Sequence, residues 1–299
     1  MKKVKVGVIG CGVMGNFHLK QYQNIPEVEI IGASDIDPSR SIEGRRFFND
    51  YKELLKLADA VSITTPTSTH FKIGMDALNS GCHVLIEKPI SVTGEEALKL
   101  IKTAKAKRSV LAVGHIERFN PAYTALKKGL GRAKPDIIDI KRLSPFPERI
   151  NDVSCVIDMM IHDIDLAIDM AGSEVKHMNA IGKKTRSSKL DQAIAVLVFK
   201  NGMIANIEAS RVHSEKMRRV VAMNGKYIYE ADLLNKKLFK SISGKRGEIK
   251  VTLLDQLNSE LRAFISAISK RSNLLVTGED GLNALAIANR IEEEALMSC

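Results

Sequence analysis

The chain of 299 residues contains no uninterrupted apolar run near the ~18 residues of a membrane-spanning helix, so no such span is expected. Its four cysteines (Cys11, Cys82, Cys155 and Cys299) are scattered, with no C-x-x-C pair. That spacing makes neither a disulfide framework nor a zinc knuckle, and free thiols in a reducing compartment are expected. Repeats, low-complexity tracts and long linkers are also missing. The net charge is +10, yet the lysines and arginines run along the whole chain with no nucleic-acid-binding module beside them. A solvated basic surface is therefore expected, one that would also steer small anions, with neither nucleic acid nor membrane as partner.

What is present is an ordinary globular composition, 44% apolar and 27% charged. At roughly 150 residues per domain the length suggests two domains, each large enough to bury a core. The first residues, MKKVKVGVIGCG, have the lysines and apolar stretch of a signal peptide's start. The alternation of Val4, Val6 and Val8, followed by glycines, fits a first strand better, and a cytoplasmic protein is expected.

After that strand, GCGVMG places Gly10, Gly12 and Gly15 in a G-x-G-x-x-G pattern that opens a helix from about Val13 to Gln23. The glycines permit a tight turn, backbone approach to a pyrophosphate and close helix–strand packing, and the helix N-terminus faces phosphate charge. The next strand ends at Asp35, about where a ribose 2′-OH acceptor belongs. A carboxylate there repels a 2′-phosphate, so NAD is expected ahead of NADP, although Arg40, Arg45 and Arg46 follow soon after. DAVSITT (59–65) reads as a strand ending in the loop TTPTSTH, which holds Thr65, Pro66 and His70 at the sheet's carboxyl edge. Helices over 71–81 and 94–108 and strands over 83–91 and 109–115 continue the alternation. Repeated strand–helix units make a doubly wound parallel sheet. Lys88 stands near the carboxyl end of one strand, where it is either an exposed strand-end lysine or a group beside a substrate hydroxyl; residues alone leave this open.

The segments VGVIGCGVMGNFH (6–18), ITTPTSTHF (63–71), HVLIEKPIS (83–91), GHIERFNPAY (114–123), DMMIHDID (158–165) and VTGEDGLNALAIANRIEE (276–293) together resemble the Gfo/Idh/MocA oxidoreductase family. The resemblance implies an α/β protein: an N-terminal Rossmann domain, then an α+β domain with a large, mainly antiparallel open sheet. It implies that Lys88, Asp158 and His162 are catalytic and touch substrate. It also implies a nicotinamide cofactor held by Gly10, Gly12, Val13, Met14, Gly15, Asp35, Thr65, Pro66, His70, Glu87 and Lys88. A narrower likeness, in GHIERFNPAY and in 142–165, is to dehydrogenases acting on the 3-hydroxyl of UDP-N-acetylglucosamine. A sugar or nucleotide-sugar dehydrogenase is thus expected. Alternatives are a dehydrogenase of a free polyol such as inositol and a non-catalytic cofactor-binding regulator. Arg118, Asn120 and Arg149 are candidate substrate contacts, since guanidinium suits a diphosphate or carboxylate.

The second half reads as α+β on its own evidence. Asn120-Pro121 caps and starts a helix. QAIAVLVFK-NG-MIANIEAS (192–210) and RRVVAMNGKYIYEADL (218–233) each carry the Asn-Gly hairpin signal, and DIIDIKRL (136–143) adds a strand. The stripe Leu257, Leu261, Phe264, Ile265 and Ile268 reads as helical core packing. The domains are expected at 1–119 and 120–299. The family habit of covering such a sheet with a second subunit implies a homodimer or homotetramer.

In DMMIHDID, helical spacing puts Asp158, His162 and Asp165 on one stripe and turns Asp163 elsewhere, toward solvent or a cap. The cluster reads as a wet stripe, a metal site or acid–base machinery. Apolar neighbours disfavour the first. Hydride transfer needs no metal and no second His/Cys cluster is visible in the sequence, so none is expected. Histidine, with an ordinary pKa near ~6.5, suits a base at neutral pH.

Overall fold

The structure, a computed structural model, describes residues 3–42, 44–147 and 153–298. It divides into two compact units, residues 1–116 with 255–282 and residues 117–254 with 283–299.

In the first unit the chain runs β1 (Val4–Ile9), α1 (Val13–Tyr22), β2 (Val28–Ser34), β3 (Phe47–Phe48), α2 (Tyr51–Leu55), β4 (Ala60–Ile63), α3 (Thr67–Asn79), β5 (His83–Glu87), α4 (Gly94–Lys107) and β6 (Leu111–Gly114). Among the described residues these strands form a six-stranded parallel sheet in the order β3-β2-β1-β4-β5-β6. Both faces are covered, so β4 is buried at every position, its one polar residue, Ser62, included. The strand order reverses between β1 and β4, the place where ligands collect in such sheets.

Two boundaries differ from the sequence reading. Helix α3 starts at Thr67, before residue 71, because the polar TSTH segment forms its first turn; the Thr69 hydroxyl closes that turn on the Pro66 carbonyl at 2.8 Å. Strand β5 stops at Glu87, since Pro89 has no N–H to offer a ladder.

The second unit holds α5 (Pro121–Leu130), β7 (Ile137–Leu143), α6 (Ile161–Ala171), β8 (Val175–Lys183), β9 (Gln192–Phe199), β10 (Ile204–Ser210), β11 (Met217–Asn224), β12 (Tyr227–Asp232), β13 (Lys237–Ile242) and β14 (Lys245–Ile249). These strands form an eight-stranded sheet in the order β14-β13-β12-β11-β7-β10-β9-β8, antiparallel except where β7 and β10 run parallel. Both Asn-Gly pairs sit between paired strands as expected. Along β9 the residues alternate strictly: Ala193, Ala195, Leu197 and Phe199 enter the core beside Ile161, Ile164 and Ala167 of α6. The opposite face leaves Ile181, Ile194 and Val196 exposed.

A cut at 119/120 does not describe these units. Helix α7 (Gln256–Ser269) belongs to the first, because its stripe Leu257, Leu261, Phe264 and Ile265 shares a core with Val4, Val6, Leu19 and Tyr22. The last helix, α8 (Gly278–Met297), starts where Thr277 and Asp280 cap each other, Thr277 N–H donating to Asp280 at 2.8 Å and Asp280 N–H to Thr277 at 3.2 Å.

Candidate active site

The glycine loop is built by close approach. Gly10 has φ +96°, and a Cβ at Gly15 would stand 1.9 Å from the Gly10 carbonyl oxygen. Only hydrogen atoms fit at Gly15, which seats α1 against the end of β1. A Cβ at Gly12 would meet nothing nearer than Arg40, 4.0 Å away, so the space over the helix start is open. Gly12 caps α1 without a side-chain bond, which leaves first-turn N–H groups for an anion. Asn16 Nδ2 donates to the Cys11 and Gly12 carbonyls at 2.9 Å each, and Thr64 Oγ1 donates to the Gly10 carbonyl at 2.7 Å. Val13 is exposed and Met14 half-buried in that first turn.

Asp35 follows β2 and is buried. Its carboxylate accepts the Cys11 N–H at 2.7 Å and the Asp37 N–H at 3.0 Å, with the Arg40 guanidinium 3.5 Å away. The acid thus braces the glycine loop while facing a cavity of about 630 Å³ lined by Gly10, Gly12, Asp35, Arg40, Thr65 and Lys72. This cradle of backbone N–H groups, small residues and the carboxylates of Asp35 and Asp37 fits a dinucleotide. Arg40 is one of the three arginines that weighed against NAD in the sequence, whereas Lys72, just past the ITTPTSTHF segment, is an addition to that reading.

His70 is buried in α3 and joins two loops. Its Nδ1 lies 2.8 Å from the Pro89 carbonyl and its Nε2 2.8 Å from the Thr65 carbonyl. Burial pushes its pKa below the ordinary histidine range, against the pull of both carbonyls. The expected cofactor residue is therefore a brace between the Thr65–Pro66 loop and the half-buried Lys88 turn. Glu87, also expected at the cofactor, turns inward: Oε1 is 3.1 Å from His18 Nε2, and Oε2 accepts the Lys88 N–H at 3.3 Å. His18 itself is fully buried, on the stripe Gly15, His18, Leu19 and Tyr22, whose spacing was its available signal.

In the second unit, Val156–Met160 forms a π turn that leads directly into α6. A π turn within a helix often marks a functional segment. Asp158 on the turn and His162 in the first turn of α6 are both half-buried. Their neighbours differ. Asp163, expected toward solvent or a cap, is 1% exposed and paired through both oxygens with Arg142 of β7 at 2.8 and 2.7 Å. Arg142 also reaches Glu117 at 3.0 Å. Burial works against the Glu117 carboxyl, but Arg142 and Arg218 together hold it below the ordinary range. Asp165, expected beside His162, is bound at both oxygens by Arg118 at 2.7 Å each.

Two residues expected at the substrate are buried among partners. Arg118 is buried on Asp165 and, at 3.1 Å, on Asp169. Asn120 caps α5 by accepting the Ala122 N–H at 3.0 Å, and its amide donates to Glu117 and the Leu233 carbonyl at 3.0 Å each. Both are held by fixed partners in the second unit, as a buried polar group requires. Arg149 lies outside the described residues.

Residues 4–115 match the family described as "Oxidoreductase family, NAD-binding Rossmann fold", and residues 140–227 match "GFO/IDH/MocA C-terminal domain". The chain is 35% identical to UDP-N-acetylglucosamine 3-dehydrogenase of Acidithiobacillus ferrooxidans, over 97% of each chain. A solved structure of that enzyme superposes with TM-score 0.95 at 34% identity, covering 100% of this chain and 99% of the other. Myo-inositol 2-dehydrogenase of Thermotoga maritima is 26% identical over 95% of this chain and 94% of its own.

Proposed function

The chain belongs to the Gfo/Idh/MocA oxidoreductase family, and on that footing we propose that it oxidises a secondary hydroxyl of a nucleotide sugar, UDP-N-acetylglucosamine at C3, with NAD as cofactor. The likeness over 97% of both chains to an enzyme of that name carries the substrate. The carboxylate of Asp35 facing the cavity carries the preference for NAD, since it would repel a 2′-phosphate.

When bound, the cofactor supplies the hydride acceptor. His162 takes the hydroxyl proton as the carbon is oxidised, and Asp158, four residues earlier, orients the imidazole or a neighbouring hydroxyl. The Lys88 ammonium stabilises negative charge developing on the oxygen. In reduction the same groups act with the protons reversed.

A free polyol is the second reading, favoured by the myo-inositol dehydrogenase among the relatives. Activity screening by reduced-nicotinamide absorbance separates the two. UDP-N-acetylglucosamine, its uronic acid, inositols and hexoses are each offered with NAD and NADP. Turnover on UDP-N-acetylglucosamine with NAD is expected, and turnover on inositol alone would overturn the substrate.

The proposal extends to assembly and location. The exposed apolar row Ile181, Ile194 and Val196 on the open sheet suits burial against a second copy of the chain, giving a homodimer or homotetramer. Sedimentation at the monomer mass across concentrations would contradict this. The buried free thiols of Cys11, Cys82 and Cys155 suit the cytoplasm, and no helix of the described residues is long and apolar enough to cross a membrane.

A further inference from the structure

Three ionisable side chains meet inside the first unit on surfaces otherwise given to packing. His18 comes from the inward stripe of α1, Glu87 from the end of β5, and Glu260 from the apolar stripe of α7. One polar atom from each lies within 4.8 Å of the other two. Glu260 is 3% exposed, and neither of its carboxyl oxygens has a hydrogen-bond partner among the described residues. Tyr22 of α1 is a further titratable group nearby, but its hydroxyl pairs with Ser62 at 2.8 Å. Glu87 packs closely on Gly114, where a Cβ would stand 2.9 Å from its Oε2.

A lone carboxylate is not stable in such a place, and the group takes up a proton instead. Burial first, then the charge of Glu87, pushes the Glu260 carboxyl well above its ordinary range. Burial works against Glu87 as well, but the His18 bond and the adjoining Lys88 charge hold its carboxyl low. Two carboxyls are thus driven apart, one toward acid and one toward base, as in sites where two acids share a proton.

We propose that Glu260 is the proton-carrying member of a buried Glu260–Glu87–His18 chain that fixes the Glu87 carboxylate and, through it, the Lys88 turn. Glu260 is a positioning residue, acting through Glu87 and its bond to the Lys88 N–H. The link to catalysis rests on the reading of Lys88 given above. A rival occupant exists, since one imidazole and two carboxylates also suit a divalent cation.

The test compares full-length wild type with Glu260→Gln, and with Glu260→Leu in case the amide does not fold. At neutral pH the wild type is expected to give an infrared carbonyl band of a protonated carboxyl that both variants lack. The folded pKa lies above the unfolded value of 4.5, so the folded chain holds an extra proton between the two. Wild-type melting temperature should therefore fall as pH climbs from about 4.5 toward the folded value. Glu260→Gln should lose that component, and its advantage should widen with pH. The alkaline limb of kcat/KM should shift in Glu260→Gln, which lost packing alone does not cause.

No such band, with wild-type and variant melting curves parallel in pH, overturns the proposal. So does stoichiometric bound metal whose removal by EDTA lowers the melting temperature. Band and melting curves need no substrate, so they stand even if the dehydrogenase reading fails. The variants are needed because burial also raises the Asp163 carboxyl, and only a band lost with Glu260 belongs to it. An unchanged kcat/KM profile with the band present overturns the coupling to Lys88.

Discussion

Asp158 and His162 stand half open, while Asp163 and Asp165, a few residues along, are 1% exposed and clasped by arginines. All four sit among Met and Ile in the sequence, so composition cannot separate them. The difference is one of partners. A carboxylate fully out of water needs a fixed cation with several donors, which Arg118 and Arg142 supply. His162, half-buried and without such an arginine clasp among the bonds described, is the residue to which the proposed function gives general-base work. One short segment thus holds buried, arginine-paired acids beside the two residues proposed for the chemistry.

The sharpest way to break that contrast is at His162. His162→Ala is expected to lower kcat by about 10²–10⁴-fold while unfolding free energy stays within about 0.5 kcal/mol. Turnover kinetics and denaturant melts on one preparation check both halves. Asp165→Ala should do the reverse, costing about 1–3 kcal/mol of stability because Arg118 loses both bonds to Asp165 and keeps Asp169. Equal stability with lost turnover would return Asp165 to the catalytic stripe.

Asp35 is a third kind of acid, buried yet bonded to backbone N–H groups at a cavity. Asp35→Ala is expected to weaken NAD by about 1.5–3 kcal/mol and NADP by less, read by titration calorimetry. Equal weakening of both cofactors would remove the ribose assignment.

A smaller effect lies in pH. Arginines hold Glu117 and Asp169 below their ordinary values against burial, so their stabilisation is complete above those values and is lost as pH falls through the depressed ones. Acid melts of Glu117→Gln should lose up to about 1.4 kcal/mol per pH unit of wild-type slope in that window.

Much of this was legible in the sequence because it is local. The glycine spacing, the acid after the second strand, the Asn-Gly turns and the α7 stripe are each read within a few residues of one another. The unit that α7 joins was not legible, because its stripe says that it packs but not on what. Asp163 was misread because its partner Arg142 is 21 residues away, and Asp165 because Arg118 is 47 away. Glu260 did leave a trace, as the one acid at an inward position between Leu257 and Phe264.

The most direct measurement follows a labelled hydrogen. UDP-N-acetylglucosamine carrying deuterium at C3 is incubated with the enzyme and NAD, and the nicotinamide product is weighed by mass spectrometry. Deuterium gained by the nicotinamide, and lost with Lys88→Ala, is the predicted result; reduced cofactor formed without the label would contradict oxidation at that carbon.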